Sequence, residues 1–145
     1  MAAEFTSPAD RRSRQRSAMK RYDPMTPPHA EQWQAIDEQE QIRLVEDYHR
    51  RARIRLPNRK VHAIFHVVVE NQIALGDETP VKRTVQRLMA EGLDRHDAIH
   101  AVGSVLAAYI HDRWHGPEPS PGEDPNRAYY DELERLTAEE WLRSG

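Results

Sequence analysis

The stretch from Arg59 to Leu75 carries apolar side chains around most of a helical circumference, so a helix formed there has to be covered on several sides. At about 100° per residue, Ile64 and Val68 fall on one flank and Phe65, Val69 and Ile73 on another. His62, His66 and Glu70 interrupt this surface at four-residue intervals and therefore stack on one face. Removing imidazoles and a carboxylate from water without partners is costly. Paired polar helices, ordered water or a metal ion would compensate them.

The flanking sequence supplies elements to cover this helix. Thr26 before Pro27 has the cap-then-proline signature of a helix start, with Trp33 and Ile36 as a small apolar stripe. Asp37 and Glu40 resemble a capping box, opening a helix to about Arg53 in which Ile42, Val45, Tyr48, His49 and Ala52 keep helical spacing. Pro57 and Asn58 end it and cap the central helix, which stops at Gly76. Thr79 and Pro80 open the next, with Val81, Val85, Leu88 and Met89 on one stripe as far as Gly92. Asp94 caps a last core helix from about Arg95 to Trp114. No strand alternation competes, so the expectation is an all-α bundle of about four core helices over residues 22–115.

Both ends differ from this body. Residues 1–21 hold six basic and two acidic side chains, a net +4, with little apolar material, and are expected to form a disordered basic arm. Residues 11–21 lack aromatic interleaving and any nucleic-acid motif, so they read as a solvated tail. Residues 116–145 carry eight acidic against three basic side chains, a net −5. Pro117, Pro119, Pro121, Gly122 and Pro125 form a stiff linker there. Beyond it, Tyr129, Tyr130, Leu133 and Leu136 suggest a short amphipathic helix, and Thr137 with Glu140 restarts helix towards Trp141.

With 145 residues, 38% hydrophobic and 31% charged, the chain has material for one small domain. Its longest apolar stretch, Ala101 to Ile110, is interrupted by Gly103 and Ser104 and falls short of the roughly 20 residues of a membrane span. Met1-Ala2-Ala3-Glu4-Phe5 leads into a basic polar segment without the apolar core of a signal peptide. A soluble, cytoplasmic protein is expected.

The absence of cysteine leaves imidazole and carboxylate as the only strong ligands, which favours zinc, iron, nickel or manganese over copper(I). His62 and Glu70 lie about 12 Å apart along the helix axis, too far to share one ion at ligand distances of about 2.0–2.2 Å. His62 with His66, or His66 with Glu70, can share one. His66 is common to both sets. His96 and His100, also four apart, would close the opposite side from a second helix. Glu46 and His49 repeat the Glu-x-x-His spacing of carboxylate-bridged diiron bundles and form a secondary ligand set.

The segment His96-Asp97-Ala98-Ile99-His100 is the zinc-protease His-Glu-x-x-His pattern with aspartate, one carbon shorter, in place of glutamate. The His62–His66 pair encloses Ala63 instead. Glu70 and Asp97 are thus the candidate proton acceptors. Ordinary explanations exist for each residue singly: a core histidine with a polar partner, Glu70 paired with Arg83 or Arg87, Asp97 satisfying the helix start after Asp94. His111 and His115 suit a helix C-terminus, and Trp33, Tyr48 and Trp114 suit a core or its rim. Two histidine pairs together with a buried glutamate favour the metal.

At these residues the chain resembles a family of small bacterial proteins catalogued as domain of unknown function 1841. The similarity runs from about Tyr22 to Asp112 and rests on Tyr48-His49, Leu56-Pro57-Asn58, His62, His66, Val69-Glu70-Asn71-Gln72 and His96 through Gly103. The family commonly carries glutamate where this chain has Asp97, and it does not cover residues 1–21 or the acidic tail after Pro117. The resemblance implies a bacterial helical protein and points to the same histidines and glutamate. It brings no biochemical activity with it.

The expectation is therefore a helical protein that binds zinc or iron through His66, His96 and His100, with His62 or Glu70 completing the shell. Such an ion would activate water for hydrolysis or, as iron, support oxygen chemistry. The alternative is a metal-free interaction module. Its histidines would hydrogen-bond to Glu70, Glu46 and backbone, and its basic arm or acidic tail would recruit a protein partner or a second copy of the chain.

Overall fold

Asp37, Asn58 and Asp94 each accept a hydrogen bond from the backbone N–H three residues on, that of Glu40, Val61 and Asp97, and so begin three of the helices in the computed structural model. The structure describes residues 19–144; residues 1–18, most of the expected basic arm, and Gly145 lie outside the described residues. Among the described residues there are seven α-helices and no strand. They are α1 (Ala30–Ala35), α2 (Glu38–Arg51), α3 (Arg59–Ala74), α4 (Val81–Ala90), α5 (Arg95–His115), α6 (Arg127–Arg135) and α7 (Ala138–Ser144). A 3-10 turn, Gly76–Glu78, follows α3. Gly76 and Gly92 take φ of +65° and +115°, where side chains are strained, and this is how α3 and α4 are stopped.

One expected start is corrected. Thr26 does not cap a helix; α1 begins at Ala30, after His29. The Asp23 carboxylate accepts from the Met25 N–H and the Thr26 hydroxyl, which folds this segment into a turn. Two successive prolines, Pro27 and Pro28, then disfavour helical backbone in the residue before each of them.

The central helix is covered on several sides, as its apolar circumference requires. Helices α1, α2, α4 and α5 all pack on α3. It contributes to two separate apolar clusters. Ala63 and Val67 pack with Tyr22, Trp33, Ile36, Ile42, Leu44 and Val45 from the N-terminal side. Val69 packs with Val81, Val85 and Leu88 of α4 and Ile99, Val102 and Leu106 of α5. Full burial of each aliphatic side chain stabilises the fold by roughly 1.5–3 kcal/mol, so these two clusters carry the structure.

The helices beyond the proline-rich segment belong to the second cluster. Tyr129, Leu133 and Ala138 are buried in it. The Tyr129 hydroxyl donates to Gln72 Oε1, Arg87 Nη2 donates to the Leu133 carbonyl, and the Ala138 N–H donates to Glu91 Oε1, at 2.8, 2.9 and 3.0 Å. Asp131, Glu132, Glu134, Glu139 and Glu140 lie exposed on α6 and α7, and the buried Tyr129, Leu133 and Ala138 join these helices to α4 and α5. Trp33 is a core residue, whereas Trp114 is 84% exposed at the end of α5. No described helix is long and apolar enough to cross a membrane.

Candidate metal centre

Between the two apolar clusters lies a layer of polar side chains from α2, α3 and α5. The last turn of α2 contributes His49, the polar face of α3 contributes His62, His66 and Glu70, and the first two turns of α5 contribute Arg95, His96 and His100. The ring centroids of His96 and His100 stand 4.1 Å apart, those of His49 and His66 5.3 Å, and those of His66 and His96 5.3 Å. One ligand atom from each of His49, His66, His96 and His100 falls within 4.8 Å of the other three. In a tetrahedral zinc site with bonds of about 2.0–2.1 Å the nitrogens are about 3.4 Å apart, so a small inward movement of the rings would close the set on an ion.

The hydrogen bonds identify the nitrogens that remain for such an ion. His49 Nδ1 lies 2.8 Å from the Val45 carbonyl oxygen, which only accepts, so this nitrogen carries the proton and Nε2 keeps its lone pair. Nε2 of His66, His96 and His100 are buried and have no hydrogen-bond partner. They are the only such side-chain atoms among the described residues. Buried polar atoms normally find partners, and three orphans of one type at one place point to a shared missing partner.

A buried chain of hydrogen bonds sets the tautomer of His66. Arg95 donates from Nη1 to Glu70 Oε2 at 2.9 Å and from Nη2 to Oε1 at 2.7 Å, and Nη1 also reaches the Pro24 carbonyl at 2.9 Å. The Tyr22 hydroxyl donates its one proton to Glu70 Oε2. At its 3.1 Å contact with His66 Nδ1, Tyr22 can then only accept, so His66 is protonated on Nδ1 and presents a bare Nε2. A carboxylate-linked partner on the far nitrogen is the usual way a metal-binding imidazole is oriented and made more basic. Here a tyrosine is interposed.

Electrostatics keep these groups in the required forms. Burial, followed by the neighbouring histidines, lowers His62 to about 4. Burial, then His96 and His49, brings His100 down to about 4. His96 also falls to about 4, from burial first and then His49, against an opposing pull from Asp94 and Asp23. His66 is pushed well below the ordinary range by burial and the four other histidines, and His49 is lowered by burial. The five imidazoles are therefore neutral at pH 7, the form that binds metal. Burial, then the Glu70 charge, raises Tyr22, which holds its proton.

The structure corrects several expected roles. Glu70 is not among the four clustered residues: it is 1% exposed, and Arg95 and Tyr22 occupy its oxygens. Its arginine is Arg95, not Arg83 or Arg87, which pair with Glu134 and Glu91 on the surface. His62 does not complete the set of four; its Nε2 lies 3.2 Å from His49 Nε2 and donates to the lone pair there, a bond that an ion on His49 would displace. His49 takes the fourth place, without Glu46. Asp97 is not brought to the cluster either; its N–H is capped by Asp94, and burial followed by the Asp94 charge raises its carboxyl. His115 Nδ1 caps the carbonyl of His111 at the exposed end of α5.

Two residues bonded into this layer, Tyr22 and Arg95, are not marked by the sequence. Tyr22 meets Glu70 across 48 positions, a contact no spacing rule reaches. Arg95 left a faint local sign, since a cation at the first position of a helix opposes the helix dipole. Comparisons with protein-family models, curated proteins and solved structures find no match for this chain.

Proposed function

We propose that this is a metal-binding protein whose centre holds one zinc or iron ion through Nε2 of His49, His66, His96 and His100. The observation that carries this reading is the three buried, partnerless Nε2 atoms of His66, His96 and His100, on side chains that with His49 each bring one ligand atom within 4.8 Å of the others. Neutral imidazoles held by Val45 and by the Arg95–Glu70–Tyr22 chain need no reorganisation of their far nitrogens to bind. Iron and zinc both accept all-imidazole shells. We further propose that the resemblance to domain of unknown function 1841 reflects common membership, because the residues that carry it include this histidine layer and Glu70.

Elemental analysis of chain purified without a histidine tag or added metal tests the proposal. Near-stoichiometric zinc or iron, lost in His66→Ala and His100→Ala, is the expected result. A metal-free protein that cannot be reconstituted and keeps its melting temperature in chelator would overturn it and leave the interaction module.

A further inference from the structure

His62, His66 and His100 form one wall of a cavity of about 320 Å³, within the range of small-molecule sites. The other walls are Phe65 of α3, Ile99, Gly103 and Ala107 of α5, and Trp141 of α7. Ser104 completes the lining, with its hydroxyl already donating to the His100 carbonyl at 3.1 Å. No lysine, arginine, aspartate or glutamate lines it. The larger groove, about 940 Å³ between α5, α6 and α7, contains none of the clustered histidines.

Gly103 gives an independent sign that the space is maintained. It lies inside α5, where glycine weakens a helix, and its φ is not in the left-handed region. A Cβ built on it would meet nothing within 4 Å, so neither backbone geometry nor close packing calls for glycine there. What a larger residue would do at this position is fill the cavity beside the histidines.

Charge defines the occupant. Four neutral imidazoles leave the full charge of a divalent ion uncompensated, and the buried Glu70 is already neutralised by Arg95. We infer that the cavity admits a small ligand with an apolar body and a single carboxylate, which adds a fifth position to the metal and offsets part of its charge while Phe65, Ile99 and Trp141 hold the body. This rests on the metal reading above. It assigns to Trp141, and so to the C-terminal helix, the role of closing the ligand chamber.

The test uses full-length chain loaded with cobalt(II), whose visible bands report coordination, titrated with benzoate and with acetate. The two share a donor and differ in the apolar body. Benzoate is expected to shift the bands and to bind at least about tenfold more tightly than acetate, as burial of a ring requires. Gly103→Leu should leave cobalt uptake intact and weaken benzoate about tenfold or more, and Trp141→Ala should weaken it without changing acetate. Cobalt bound normally, with benzoate no tighter than acetate or with Gly103→Leu indifferent, would overturn the ligand chamber and leave the metal site standing. A chain that takes up no cobalt would remove both.

Discussion

Arg95 and Glu70 form a two-bond ion pair, 3% and 1% exposed, on the same polar layer as four potential metal ligands. A buried pair of this kind is expensive to desolvate, and its worth here is directional: it fixes Tyr22, and Tyr22 fixes His66. The glutamate that looks like a ligand in the sequence therefore acts on a candidate ligand, His66, from behind.

Arg95→Met should destabilise the protein by about 3–5 kcal/mol, because it leaves the Glu70 charge buried without a cation. Glu70→Gln combined with Arg95→Met removes the charge and keeps an acceptor for Tyr22. Denaturant titration of both variants should find most of the loss recovered in the double variant. Equal losses would show that the arginine acts through packing alone.

Tyr22→Phe keeps the ring in the N-terminal cluster and deletes the hydroxyl that accepts from His66 Nδ1. Metal affinity, measured by competition with a chelating dye, should fall by about 10–100-fold, the usual effect of removing a group that orients a ligand. An affinity unchanged within twofold would mean that His66 is held by its packing and not by this chain of bonds.

The metal-free protein should lose stability as pH falls from about 6.5 to about 4. His62, His96 and His100 are lowered in the folded state to about 4, so across that window the unfolded chain binds more protons and acid favours unfolding. Above pH 6.5 these groups contribute no slope. Melting temperatures in chelator across this range check the sign, and His96→Gln should flatten the curve.

Leu133→Ala should cost about 2–5 kcal/mol and lower the melting temperature of the whole protein in one transition, since Leu133 is fully buried against α4 and α5. A separate low-temperature transition, with the rest unaffected, would instead mark α6 and α7 as an independent appendage.

Much of the helical layout is legible in the sequence because its determinants are local. Asp37, Asn58 and Asp94 act on N–H groups three residues away, and Gly76 and Gly92 act on their own backbone. The shared face of His62, His66 and Glu70 follows from helical pitch alone. What remains hidden depends on tertiary packing. Whether Glu70 faces an ion or Arg95 is decided by a contact across 25 positions, and His49 joins the cluster because α2 packs on α3 with its last turn level with His66. The proline-rich spacing before α6 suggested separation, but the stripe of Tyr129 and Leu133 decided in favour of the core.

Helix α3 serves as a party wall, with Ala63 and Val67 belonging to one room and Val69 to the other. Cutting the chain before or after this helix would therefore not yield a self-sufficient half. A rotation of α3 about its own axis would misalign both rooms at once, which ties the register of the histidine layer to the integrity of the entire body.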